Sequence, residues 1–233
     1  MNRLDVSQTN ITVDETTERT FITKVYGWMT LALAITGLVA VATAANPTIM
    51  KLIVQTPAFF VVIGAQLILV VVLSAAINKF SAGVATGLFI VYAALTGLTF
   101  STLFLIYTGS SIAQVFFVTA GTFGLISFYG YITKRDLTSI GNLLFMALIG
   151  LIVASIVNLL IQSSVLELIV TLVGVLIFVG LIAYDTQRIK RMAASLGEDS
   201  EVQRKAAVIG ALALYLDFIN LFIRLLRLFG KRR

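Results

Sequence analysis

Residues 212–230 read LALYLDFINLFIRLLRLFG, and the fold turns on what this stretch is. It is apolar and close to the roughly 20 residues that a helix needs to cross a bilayer, yet it holds Asp217, Asn220, Arg224 and Arg227. A charge at the bilayer centre costs roughly 2.5–3.5 kcal/mol on insertion scales, so it normally has a partner or a task. At 100° per residue the four polar side chains fall within an arc of about 80°, with Gly210 and Ala213 on the same side. Lipid cannot satisfy such a face, so the face must point into a bundle. Small residues there let neighbouring helices come close. The segment therefore reads as a central helix with others around it.

The rest of the chain agrees with a membrane setting. Of 233 residues, 59% are apolar and only 12% charged, with a mean hydropathy of +1.01. A soluble domain is about a quarter charged. The absence of Cys excludes disulfides and thiolate metal sites. The absence of His removes Ser-His and Cys-His pairs, His-ligated zinc and the usual physiological-pH switch. Any proton sensing falls to the 11 carboxylates. A net charge of +6 in such a chain points to topology and lipid contact rather than to nucleic acid.

Seven apolar segments are expected at 24–45, 58–78, 83–107, 112–132, 140–162, 166–187 and 206–229, giving an all-α polytopic membrane protein. Residues 1–23 are polar and read as a mobile cytoplasmic tail. Residues 24–230 form the seven-helix domain, and 231–233 a basic tail. The one long loop is 188–205, RIKRMAASLGEDSEVQRK. The VATAANP stretch ending segment one contains an A-x-A pattern, but the preceding region is long and acidic, unlike a signal peptide. No internal repeat suggests an inverted-repeat transporter.

Lys and Arg positions set the orientation. With the N-terminus inside, Arg3, Arg19, Lys24, Lys79, Lys134, Arg135, Arg188, Lys190, Arg191, Arg204 and Lys205 lie inside, and the outer loops hold only Lys51. Lys231, Arg232 and Arg233 disagree, since they fall outside if segment seven crosses. The helix is long enough to cross, and crossing is the expectation.

Two readings of Asp217 stand side by side. It forms a fixed ion pair with an Arg of another helix, or it meets Asp185 of FVGLIAYDTQRIK near the inner end of segment six. Gly174, Phe178 and Asp185 share a face there. Two buried carboxyls in contact share a proton. Protonated, such a pair holds two helices together. Deprotonated, it repels and offers oxygens to a cation. Arg188, three residues on from Asp185, and Arg224 and Arg227 would favour the charged form. The last two have a plainer reading as side chains that snorkel to headgroups. Other intramembrane polar groups are Gln66 in segment two and Ser155, Asn158 and Gln162 along segment five, the last two read as interhelical hydrogen-bond partners.

AYDTQRIK and LYLDFINLFIRLLRLFG resemble the last two helices of the Bax inhibitor family. VYGWMTLALAITG, YAALTGLTFS, FYGYITKRDL and GNLLFMALIGLIVASIVN are similar to its bacterial members, so the likeness covers about residues 20–230. The resemblance implies seven transmembrane helices with the last enclosed by the other six. It also implies a pH-dependent calcium leak governed by two aspartates, which correspond to Asp185 and Asp217. Some members carry an acid in segment two where this chain has Gln66, and a neutral amide attracts a cation far less.

The expected function is thus a pH-sensitive cation leak, with calcium passing Asp185 and Asp217 transiently and no resident cofactor. Calcium takes 6–8 oxygens; two aspartates supply at most four, with Tyr184 and Asn220 near enough in sequence to add to them. The alternative is a regulatory membrane protein that acts on a membrane protease or other partner without conducting ions. No enzymatic activity is expected. An intramembrane aspartyl protease would also use two helical aspartates, one of them in a YD motif, but GxGD glycines are missing around Asp217. The partners expected are lipid, calcium and a membrane protein, at the inner membrane of a bacterium.

Overall fold

We describe residues 3–196 and 200–233 of a computed structural model, with side chains from residue 18 onward except Asn78. Among the described residues the regular structure is helical: α1 (Arg3–Ala44), α2 (Pro47–Gln55), α3 (Ala58–Ala76), a 3-10 turn (Ile77–Lys79), α4 (Ala82–Phe100), α5 (Leu103–Ile106), α6 (Gly109–Ile132), α7 (Thr138–Ile161), α8 (Ser164–Ser195) and α9 (Ser200–Phe229). Seven spans have the length and apolarity to cross a bilayer, beginning at Glu18, Ala58, Ala82, Gly109, Thr138, Ser164 and Ser200. The chain is a polytopic membrane protein. Phe60, Leu159 and Leu160 expose three-quarters or more of their surface, which lipid tolerates and water does not.

The segment 1–23, read as a mobile polar tail, is helical from Arg3 and continuous with the first span. Extending an existing helix adds one hydrogen bond per residue fixed and avoids the nucleation cost. The expected loop 188–205 is largely helix as well: α8 runs to Ser195 and α9 starts at Ser200, while Gly197, Glu198 and Asp199 lie outside the described residues. A Lys205–Glu201 pair at 3.7 Å, spaced i,i+4, supports that first turn of α9. Neither segment shows apolar periodicity, and both are helical because they extend membrane helices.

The chain divides into two compact units. The first comprises residues up to Leu103 with Ile189–Leu212; the second comprises Phe104–Arg188 with Ala213–Arg233. Both α8 and α9 contribute to each.

In the first unit, α1 buries Phe21, Val25, Met29 and Ala32, the i, i+4, i+8, i+11 stripe of a helix packed on one side. It meets α4 closely. Thr36 Oγ1 donates to the Ala93 carbonyl at 2.9 Å, and a Cβ at Gly97 would lie 2.7 Å from the Thr36 carbonyl oxygen. Glu201 Oε1 accepts from Ala82 N at 2.7 Å, satisfying a first-turn amide of α4. Gly210 admits Val25 and Ile189, each within 3.4 Å of where its Cβ would be. The small-residue face read on the last helix is used for close approach here.

In the second unit, glycines set the helix contacts. A Cβ at Gly130 of α6 would collide with the Ala183 backbone of α8, and one at Gly141 of α7 with the Tyr184 ring. A Cβ at Gly180 of α8 would lie 2.5 Å from the Leu144 side chain of α7. Phe116 and Phe123 of α6 pack on Phe218 of α9, with centroids 5.3 and 5.5 Å apart. Of the seven spans, α9 is the most internal: 72% of its apolar window is buried, against 39% for α8 and 6% for α3 and α7. That is what its polar face demands.

Candidate functional site

The sequence AYDTQR forms one and a half turns of α8, and each polar side chain in it has separate work. Asp185 is 6% exposed. Its carboxyl lies within hydrogen-bonding reach of Asp217 on α9, which is 5% exposed. The two helices that carry the acids are antiparallel neighbours, held in register farther along by Arg224 against Gly174. A hydrogen bond between two carboxyls needs a proton, so the pair can make one only while it holds a proton. Asp217 thus stands beside Asp185, and among the described residues Arg188 and Arg227 pair with Asp185 and Glu167 rather than with Asp217.

Asp217 Oδ2 is buried and makes no hydrogen bond; among the described side chains the only other such atom is Ser127 Oγ. Ser127 lies on the buried face of α6, one turn beyond Phe123, which packs on Phe218. The far side of the pair is wetter. Arg188 Nη1 stands 3.7 Å from Asp185 Oδ1 with half of its side chain exposed. Thus one carboxyl has a solvated cation beside it, and the other is enclosed.

The remaining candidates disperse. Asn220 Nδ2 donates to the Leu216 carbonyl one turn back on its own helix, at 2.8 Å. It was expected to support the pair, but an amide with its own backbone in reach takes that local bond. Arg224 is half-buried; its Nη1 reaches the Val170 carbonyl of α8 at 3.4 Å, in space left by Gly174. Arg227 pairs with Glu167 at 3.9 Å, both about half exposed. Neither arginine serves the aspartates. Asn158 Oδ1 accepts from Ser163 N at 3.1 Å and so ties the end of α7 to the turn beyond it. Gln162, at φ 55°, is the left-handed residue of that turn. Asn158 is thus a local cap, and Gln162 enters that turn through its backbone. Gln66, in the first unit, donates to Thr96 and Thr99 of α4 at 3.3 Å.

Gln187 was missed. Its Oε1 accepts from Leu137 N at 2.9 Å, and its Nε2 donates to the Arg135 carbonyl at 2.8 Å. It clamps the α6–α7 turn two residues from Asp185. An amide beside a YD motif was the available signal, but its partner lies 50 residues away and no spacing shows it.

Among the described residues no three His, Cys, Asp or Glu side chains gather as metal ligands. The aspartate pair can exchange a proton and present carboxylate oxygens, but it is no cage for a resident cation.

The family model described as "Inhibitor of apoptosis-promoting Bax1" matches residues 18–233. The chain is 54% identical over 217 residues to inner membrane protein YbhL of Escherichia coli K12, covering 92% of this chain and 93% of that one. It is 47% identical over 214 residues to a protein of Borreliella burgdorferi (91% and 92% of the two chains). With protein RP147 of Rickettsia prowazekii it shares 45% over 230 residues (99% and 97%). Matched to that model along nearly its whole length, this seven-span chain belongs to the Bax inhibitor family.

Proposed function

We propose that this protein is a proton-gated cation leak of the bacterial inner membrane, with calcium as the cation and the Asp185–Asp217 pair as its latch. The observation that carries the reading is the meeting of these two buried acids, one on each of two antiparallel membrane helices. The membrane assignment draws on the name of the Escherichia coli relative.

While the pair holds its proton, the bond ties α8 to α9. When the proton leaves, two largely buried negative charges in contact repel. The helices then separate locally and the carboxylate oxygens become available to a cation. Flux therefore rises with pH. Arg188 beside Asp185 lowers the affinity of the pair for a cation. With at most four carboxylate oxygens against the 6–8 that calcium takes, the ion passes and is not stored.

The test is calcium entry into liposomes that hold this protein alone, followed with an internal dye from mildly acidic to mildly alkaline pH. Wild type should leak more as pH rises. Asp217→Asn and Asp185→Asn, whose amides keep a neutral bond but cannot lose the proton, should stay near the low-pH rate throughout. A folded Asp217→Asn protein with wild-type pH dependence would reject the latch. No flux at any pH from folded wild type would reject the leak.

A further inference from the structure

We infer that the C-terminal residues Lys231–Arg233, held against the α5–α6 junction, form a binding site for the phosphate of an anionic lipid headgroup.

Three consecutive cations at a chain end would ordinarily move freely, but here their backbone is fixed. Lys231 N donates to Ser111 Oγ at 2.8 Å. Thr108 N donates to the Lys231 carbonyl at 3.1 Å, and Arg233 N to the Ile106 carbonyl at 2.9 Å. The result is a one-residue antiparallel bridge between Tyr107 and Arg232. Gly230 makes the turn into it: a Cβ there would lie 2.7 Å from the Tyr107 ring. The tail takes part in these bonds through its main chain only, and its three basic residues are exposed.

The surroundings define the ligand. Phe229, Leu105 and Ile106, next to the bridge in sequence, are 69%, 50% and 48% exposed. They are at the ends of apolar spans, so the fixed cations stand where hydrocarbon gives way to headgroups. The one acidic side chain described near this end of the unit, Glu167, already pairs with Arg227. Exposed cations next in sequence to exposed apolar side chains match a molecule with a phosphate at one end and acyl chains at the other. Free phosphate would gain nothing from Phe229. On the outer side, where the Lys and Arg counts put this end, basic residues run against the usual charge bias, and a bound anionic headgroup offsets that arrangement.

The experiment compares purified wild type with a Lys231→Gln, Arg232→Gln, Arg233→Gln variant. Lys231–Arg233 hold the bridge through backbone atoms only, so the variant keeps it, and thermal unfolding in phosphatidylcholine nanodiscs checks the fold. Competition between phosphatidylglycerol and phosphatidylcholine is then read by native mass spectrometry of retained lipid. Wild type should prefer phosphatidylglycerol, with up to roughly a hundredfold lost in the variant, at about a factor of five for each cation removed. High salt should reduce the preference. Ser111→Ala, which loosens the bridge and keeps every charge, should weaken it in part. Equal retention of the two lipids by wild type, or an unchanged preference in the triple variant, overturns the site. Displacement of phosphatidylglycerol by millimolar inorganic phosphate would make it a free-phosphate site and overturn the lipid assignment.

Discussion

Gly124 and Gly130 lie on the same helix and meet opposite surroundings. A Cβ at Gly124 would touch nothing within 4 Å, whereas one at Gly130 would drive into the Ala183 backbone. Backbone cannot swing aside as a side chain can. Gly130→Ala should therefore destabilise the protein by about 1–3 kcal/mol through overpacking, and Gly124→Ala should be neutral or stabilising by up to about 1 kcal/mol. Reversible denaturation in detergent, with the two variants run in parallel, checks this; equal stabilities would mean that α6 and α8 are not in the contact described. At this scale the sequence was readable where a residue is costly in lipid. Asp185 and Asp217 stood out because a buried acid needs a reason. Gly130 did not, since a glycine carries no sign of what it makes room for. Asn220 and Asn158 misled for a related reason: composition announces a polar group, while only geometry tells a local bond from one to a neighbouring helix.

At the scale of the element, the α6–α7 turn depends on one side chain from a third helix. Leu137 is buried, and its amide reaches Gln187 Oε1. Asp136 holds the next step by accepting from Thr138 N at 2.9 Å. Gln187→Leu keeps the volume of the side chain and removes its donors and acceptor, so the Leu137 amide loses its partner. A stranded buried amide costs about 1–3 kcal/mol. Faster hydrogen exchange confined to residues 133–138, with a lower melting temperature, is the expected result. Exchange unchanged from wild type would show that the turn holds without the clamp. Most span ends were legible to within three residues, because length and apolarity are what a bilayer demands, while Glu18, Ser195 and Ser200 lie six to eight residues beyond the expected ends. What lay between them was less so. The short helix Pro47–Gln55, capped by Asn46 at Thr48 N and Ile49 N, and the helical ends of α8 and α9 are polar or brief, and nothing about lipid constrains them.

For the whole molecule, the question raised by the basic tail was whether the last helix crosses or turns back. Within one uninterrupted helix, α9 carries 30 residues from Ser200 to Phe229, roughly 45 Å at 1.5 Å per residue, against a hydrocarbon thickness of about 30 Å. Its far end is bonded at Ser111, on the first turn of α6. The tail thus belongs with the α5–α6 junction, and seven crossings would leave that junction and the α8–α9 turn on opposite sides of the membrane, which is the prediction. The chain contains no cysteine, so single substitutions can report this directly. Arg135→Cys and Arg204→Cys should be shielded from a membrane-impermeant maleimide in right-side-out vesicles, and Lys51→Cys and Arg233→Cys should be labelled. The pattern separates two claims. If all four reverse, the orientation drawn from Lys and Arg counts is inverted while α9 still crosses. If Arg233→Cys is shielded together with Arg204→Cys, α9 does not cross. Asp217 would then be no farther than half a membrane from either end of its helix on the same side, and a pathway past it from one face to the other would lose its helix.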